Sequence, residues 1–133
     1  MTLTHLLYRS SGRIEHFQGD CDAILAAARV RNAAMSLTGF LHAEDGIFVQ
    51  WLEGPKPLLD QVVDDILADT RHRDITVFGR GPITKRQFPS WAMGYSNGHQ
   101  APLFDWLAER ETNSHDLRGY ADSLHQFLLL RAA

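Results

Sequence analysis

Tyr8 and Gln50 place redox and reversible hydrogen-bonding chemistry at positions where strand patterning calls for apolar side chains. A phenol can release an electron and a proton, and a primary amide offers an acceptor oxygen on one side and two donor hydrogens on the other. Asn32 adds a second amide, and Trp91 and Met93 stand two residues apart in the segment FPSWAMG. Alternation along IFVQWLE sets Phe48, Gln50 and Leu52 on one face and Ile47, Val49 and Trp51 on the other. Both faces are apolar, so this strand reads as central and covered on both sides. Gln50 is then an amide inside a core. Left unpaired it costs on the order of 1–3 kcal/mol, so it needs partners.

Taken singly, each residue has an ordinary explanation. A buried Tyr or Trp is usually core with its polar tip at an edge, and Asn32 suits the left-handed cap of a helix. Met93 suits a gap in a core. Their convergence under two helices asks for more: a flat ligand with a polar edge would satisfy both amides and use the aliphatic walls around them. Other chemistries find no footing. No nucleophile–base pair or dinucleotide glycine loop is present, and His5, His16, His42, His72, His99, His115 and His125 form no i, i+4 pair and have no cysteine partner. Surface positions are expected for most of these histidines.

The elements that must position these side chains follow from local pattern. Thr2 to Arg9 reads as a strand ending in a Ser-Ser-Gly loop. Asp20 is the expected N-cap of an Ala- and Leu-rich helix on which Ile24, Ala28, Arg31 and Asn32 share a stripe, with Cys21 a surface or helix-start residue. Leu37 to His42 and Gly46 to Leu52 form a hairpin across an Asp-Gly turn. Pro55 then opens a helix with Leu59, Val62, Val63, Ile66 and Leu67 on its apolar face and basic residues 71–73 at its end. A fourth strand is expected at Ile75 to Phe78 and a fifth at Trp91 to Tyr95, where Trp91, Met93 and Tyr95 would share one face. The order β-α-β-β-α-β-β is a ferredoxin-like α+β fold: a five-stranded mixed sheet with two helices on one face. Two C-terminal helices follow, at Pro102 to Arg110 and Ser114 to Arg131. In the second, Leu117, Ala121, Leu124 and Leu128 must pack on the free sheet face, on each other or on a second subunit.

The chain has 133 residues, a formal net charge of −3 and one cysteine. The charge lacks the basic excess of a nucleic-acid binder. No run approaches the roughly 20 apolar residues that span a bilayer, and no signal peptide is recognisable. A lone cysteine suits a reducing cytoplasm.

Six short motifs, in order, are YRS at 8–10, ARVRN at 28–32, LTGFL at 37–41, FVQWLEGP at 48–55, DTRH at 69–72 and FPSWAMG at 88–94. Each is weak alone; together, at this spacing, the chain resembles the BLUF family of flavin-binding blue-light sensors. The resemblance runs from about residue 3 to 95 and implies a non-covalently bound flavin, FAD or less commonly FMN, between the two helices. It implies that Asn32 bonds the pyrimidine edge, that Ile24 and Ile66 pack on the ring faces, and that Gln50 lies between Tyr8 and the reactive edge. Arg31, Arg71 and His72 become candidates for the ring edge or the ribityl-phosphate arm, with capping of the second helix as the alternative for Arg71. Trp91 and Met93 are expected beside Gln50.

The resemblance also implies the photocycle. Light drives electron transfer from Tyr8 to the flavin, a proton moves through Gln50, and Gln50 is left rotated or tautomerised, giving a red-shifted state. The sensor is assigned residues 1–97, and residues 98–133 a helical extension that packs on the sheet or mediates oligomerisation. No enzymatic activity is expected of the chain itself; its output would pass to a downstream signalling partner or to its own homodimer.

Overall fold

Asp45 and Gly46 both adopt positive φ, 49° and 80°, which is the backbone a two-residue hairpin turn demands. They join β2 (Thr38–Glu44) to β3 (Ile47–Pro55). The computed structural model describes residues 2–98, 102–109 and 117–132. Within them the order is β1 (Leu3–Gly12), a short 3-10 turn (Ile14–His16), α1 (Phe17–Met35), β2, β3, α2 (Lys56–Ala68), β4 (His72–Ile83), β5 (Gly94–Asn97), α3 (Leu103–Glu109) and α4 (Leu117–Ala132). The five strands form one mixed sheet in the order β4-β1-β3-β2-β5, with β5 parallel to β2 and the remaining pairs antiparallel. This is the expected ferredoxin-like α+β arrangement with an added strand.

As the alternation requires, β3 is central and covered on both faces. Leu6, Tyr8, Phe48 and Leu52 pack under α1 and α2, while Leu7, Phe40, Val49 and Trp51 pack under α3 and α4. Of the expected α4 stripe, Leu124 and Leu128 are fully buried on this second face, and the side chain of Leu117 lies outside the described residues. The expected helical segments also include residues 110 and 114–116, outside the description, as are His99 and His115.

Several boundaries differ from the sequence reading, each for a local reason. The Ser-Ser-Gly segment is strand, because Ser10 and Ser11 continue the ladder opposite Phe48 and Ile47. Helix α1 therefore starts at Phe17, and Asp20 sits inside it, gripped by Arg13 through hydrogen bonds of 2.8 and 2.7 Å, instead of capping it. This start sets the helix phase: Cys21, Leu25, Ala28 and Asn32 face the core, and Cys21 is completely buried, not on the surface. Leu67 falls off the apolar face of α2 and is exposed. The fourth strand is longer than expected and the fifth begins only at Gly94, so Trp91 and Met93 precede it. His42 is buried rather than superficial: it contacts Ser96 Oγ at 2.7 Å and Glu44 Oε1 at 2.9 Å. Among the described residues no helix is long and apolar enough to cross a membrane, and no three His, Cys, Asp or Glu side chains gather as a metal site.

Candidate functional site

Strand pairing brings the phenol and the amide together. Tyr8 on β1 is directly opposite Gln50 on β3, and both side chains point to the face beneath α1 and α2, where each is buried. The Tyr8 hydroxyl donates to Gln50 Oε1. Burial pushes the Tyr8 phenol well above its ordinary range; the Arg31 charge pulls it part of the way back, and Asp69 adds to the rise. Tyr8 is thus a neutral donor at physiological pH, and it turns the amide oxygen of Gln50 towards itself. The amide nitrogen then points the other way, to Met93 Sδ at 3.7 Å. A thioether is a weak acceptor, so this side of the amide is only loosely held.

Asn32 is fully buried near the end of α1. It is not the left-handed cap of the helix, since Ser36 takes that conformation at φ 57° and bonds back to the Asn32 carbonyl. The Asn32 side chain donates to the Ala92 carbonyl at 2.6 Å and accepts from Arg31 at 3.0 and 3.1 Å. Arg31 is half-buried, and desolvation holds its guanidinium below the usual range, offset in part by Tyr8 and Asp65.

Helices α1 and α2 barely touch each other although both pack on the sheet. Between them opens a cleft of about 330 Å³ lined by Arg31, Asp65, Ile66, Ala68, Asp69 and Arg71, at the low end of the range for small-molecule sites. Ile66 is buried, and Ile24 packs half-buried against the same core. Arg71 is clamped on Asp69, with Nη2 2.7 Å from Oδ2 and Nε 3.0 Å from Oδ1. That pair holds the Asp69 carboxyl below its usual range. His72 contacts Ser10 Oγ at 2.8 Å and the Ile66 carbonyl at 2.7 Å, so both ring nitrogens are engaged and the end of α2 is tied to β1. Its ring meets Tyr8 edge-on at 5.9 Å.

Trp91 and Met93 do not share a face. Met93 is buried beside Gln50, whereas Trp91 is 44 % exposed and lies edge-on against Phe40 on the second face of the sheet. The cause is backbone bonding. The Trp91 carbonyl accepts from Gly39 N, Ala92 O from Asn32, and Met93 O from Arg29 Nε at 3.1 Å, so this stretch is tied to α1 and β2 before the parallel ladder begins. Gly39 suits this position, because a Cβ there would collide with the Trp51 carbonyl oxygen.

The sequence reading passed over Glu53 and Glu44, both buried on the second face. The alternation that exposed Gln50 also marks Glu53 as facing inward with Trp51, a signal obscured by its place at the end of the strand.

The cleft has Ile66 for an apolar wall and charged groups at its rim. The buried Tyr8 and Gln50 lie in the core beneath the same two helices, with the Asn32 amide buried on α1, a combination that fits a planar heterocycle with hydrogen-bonding edges. The comparisons agree. A family profile described as "BLUF: Sensors of blue-light using FAD" matches residues 3–94. The chain is 35% identical over 127 residues to the photoactivated adenylate cyclase subunit beta of Euglena gracilis, covering 92% of this chain and 15% of that protein. It spans, in other words, less than a sixth of that relative's length. Among solved structures, a BLUF protein called BlrB in its dark state superposes with a TM-score of 0.80 at 35% identity, covering 97% of this chain and 96% of that one. Klebsiella pneumoniae BlrP1 with FMN and cyclic diGMP superposes with a TM-score of 0.70 at 26% identity, covering 92% and 34%.

Proposed function

This chain belongs to the BLUF family of blue-light flavin sensors, and from that premise we propose that it binds flavin in the cleft between α1 and α2 and answers blue light by rearranging Gln50. The observation that carries the reading is the continuous chain Tyr8 Oη–Gln50–Met93 Sδ, buried in the core beneath the same two helices. Asn32 and Arg31 would hold the polar edge of the ring, Ile24 and Ile66 its faces, and Arg71 and His72 the end towards the side arm. FAD is the cofactor we assign, with FMN the alternative.

Bound flavin supplies the light absorption and the oxidising power. The residues supply the rest. Loss of an electron to the bound flavin would make the Tyr8 phenol strongly acidic, so its proton would move along the existing hydrogen bond and through Gln50, and electron and proton would both return to Tyr8 to close the cycle. Gln50 is free to turn or tautomerise because Met93 holds its nitrogen only weakly. Afterwards it offers the cleft a different hydrogen bond, which is the red-shifted state. Tyr8 and Gln50 are restored at the end of each cycle, so no substrate is consumed and the chain acts as a sensor, not an enzyme. Residues 1–97 are the sensor in this reading and 98–133 its extension. The change passes through Met93 and β5 towards a signalling partner or a homodimer interface, in the cytoplasm.

The test is the visible spectrum of the purified protein before and after a blue flash. A flavin spectrum that moves slightly to the red and relaxes in darkness supports the proposal. A bleached flavin spectrum, or protein that takes up no flavin, defeats it.

A further inference from the structure

Glu53 is completely buried, on the face of β3 opposite Gln50 and three residues beyond it. A carboxylate in that position must be fully hydrogen-bonded to be tolerated, and it is. Oε1 accepts from Trp51 Nε1 at 2.9 Å and from Gln87 N at 2.7 Å; Oε2 accepts from Thr38 Oγ1 at 2.7 Å and from Phe88 N at 2.9 Å. Four donors occupy the four lone-pair sites of the group. The nearby cation, Arg86, reaches Glu53 only through Thr38: its Nη1 donates to Thr38 Oγ1 at 2.9 Å and its Nη2 to the Ser36 carbonyl at 2.7 Å.

Two of the four donors are backbone amides of the irregular stretch between β4 and β5, the stretch that delivers Met93 to Gln50. Phe88 is buried between Phe40 and Trp51, which fixes the same point sterically. One strand therefore grips this stretch from both sides of the sheet: Gln50 through the Met93 sulfur on one face, Glu53 through Gln87 and Phe88 on the other. Four residues separate Phe88 from Met93, and from Trp91 to Met93 the chain is held by Gly39, Asn32 and Arg29. Those three contacts lie close to Met93. Glu53 is the anchor at the far end, where it sets how much slack the stretch has.

We propose that Glu53 is a positioning residue for the photoresponse, its carboxylate fixing the register of residues 87–93 so that Met93, and not Trp91, meets the Gln50 amide. This rests on the sensor reading given above. In Glu53→Gln an amide group replaces an acceptor oxygen and faces two donors, which frees Phe88 N or Gln87 N and loosens the stretch. Thr38→Val removes one of the four donors and leaves the carboxylate in place.

The experiment has a dark and a light arm, both on flavin-loaded full-length protein. In the dark arm, methyl-labelled methionine is followed by NMR, with the Met35 methyl as internal reference. The Met93 methyl signal is expected to move in Glu53→Gln and, by less, in Thr38→Val. In the light arm, dark recovery is expected to change severalfold in Glu53→Gln and in the same direction, by less, in Thr38→Val. That change should disappear when Met93→Ala is added, because coupled residues do not give additive effects. The same fold-change with and without Met93, or a Met93 methyl that stays in place, overturns the proposal. If Glu53→Gln does not fold, Thr38→Val decides both arms. If wild-type protein shows no red shift, the sensor reading fails, and the dark arm alone decides whether Glu53 positions Met93.

Discussion

The two faces of the sheet solve the problem of buried polar groups in opposite ways. Beneath α1 and α2 the helices stand apart, and the polar side chains Tyr8 and Gln50 are joined into a loosely finished pair, with a thioether as the last acceptor of Gln50. Beneath α3 and α4 the polar groups are more strongly charged yet closed upon themselves. Glu53 takes four donors from the protein, and Glu44 accepts from His42 Nε2, from Leu103 N at 2.6 Å and from Phe104 N at 3.4 Å. An open set with weak bonds can be re-made by a ligand; a closed set with strong, charge-assisted bonds holds its shape. The first face is suited to sensing and the second to keeping the sheet and its C-terminal helices in register.

Breaking the open set has the largest expected effect. Gln50→Leu should retain flavin and lose the red-shifted state entirely, because no amide remains to turn; a normal difference spectrum after a flash would show that the shift does not arise at Gln50. Tyr8→Phe should likewise bind flavin and show no red shift. It also leaves Gln50 Oε1 without its donor, which costs about 1–2 kcal/mol of stability in urea unfolding of the dark protein. A normal photocycle in Tyr8→Phe would remove Tyr8 as the donor.

Trp91→Ala sharpens the comparison, since Trp91 belongs to the second face. The red shift should survive with unchanged amplitude, and the recovery rate should alter by only about two- to threefold, the effect of a side chain that acts through the backbone of Met93. Loss of the shift would place Trp91 on the sensing face after all.

How far the sequence could be read follows the same division. On the open face, period-two alternation was enough: an amide in a strand apolar on both sides, and a phenol on a neighbouring strand, both mark themselves as exceptions. The hairpin was legible because Asp45-Gly46 needs positive φ. The segment 88–93 was not, because its carbonyls bond to Gly39, Asn32 and Arg29, and no local pattern in FPSWAMG records those distant donors. Period two therefore paired Trp91 with Met93, while the chain sends them to opposite sides of the sheet. The closed face hid for a different reason. Glu44 stands in a turn-like AEDG stretch and Glu53 at a strand end, places where a charge is ordinarily solvated; the start of α3 over Glu44 and the 87–88 stretch over Glu53 make them core.

A change of pH should strain the closed face. Burial holds His42 below its ordinary value, with Glu44 opposing and Arg131 reinforcing the shift. His125 is also lowered by burial, with His5 reinforcing it and Asp122 and Glu53 opposing. Both imidazoles are neutral in the folded protein at pH 7, so the His42–Glu44 contact is a hydrogen bond donated by a neutral ring to the carboxylate. The unfolded chain takes up these protons near pH 6.5, and the folded chain only at lower pH. Stability from this source is therefore complete above about pH 6.5 and is lost as the pH falls towards the folded values. Urea midpoints should decline from pH 7 to 5.5, and His42→Gln should flatten part of that slope; an unaltered slope would mean that His42 does not contribute.

The smallest effect tests the one gap in the closed face. His125 on α4 stacks on Trp51 at 4.2 Å with an interplanar angle of 15°, while His5 stacks on the same indole at 4.4 Å and 16°. Among the described residues, His125 Nε2 is the one buried side-chain nitrogen or oxygen without a hydrogen-bond partner. An unpaired buried polar atom is a cost that an apolar ring of similar shape does not carry. His125→Phe should keep the stack, remove the orphan nitrogen and raise stability by about 1 kcal/mol at pH 7. The gain should widen as the pH falls below 6.5, because the variant has also lost a group that the unfolded chain protonates more readily than the folded one. Paired urea titrations at pH 7 and 5.5 measure both quantities. Lower stability at pH 7 would show that a bound water satisfies Nε2, and that the second face is as fully closed there as it is at Glu53.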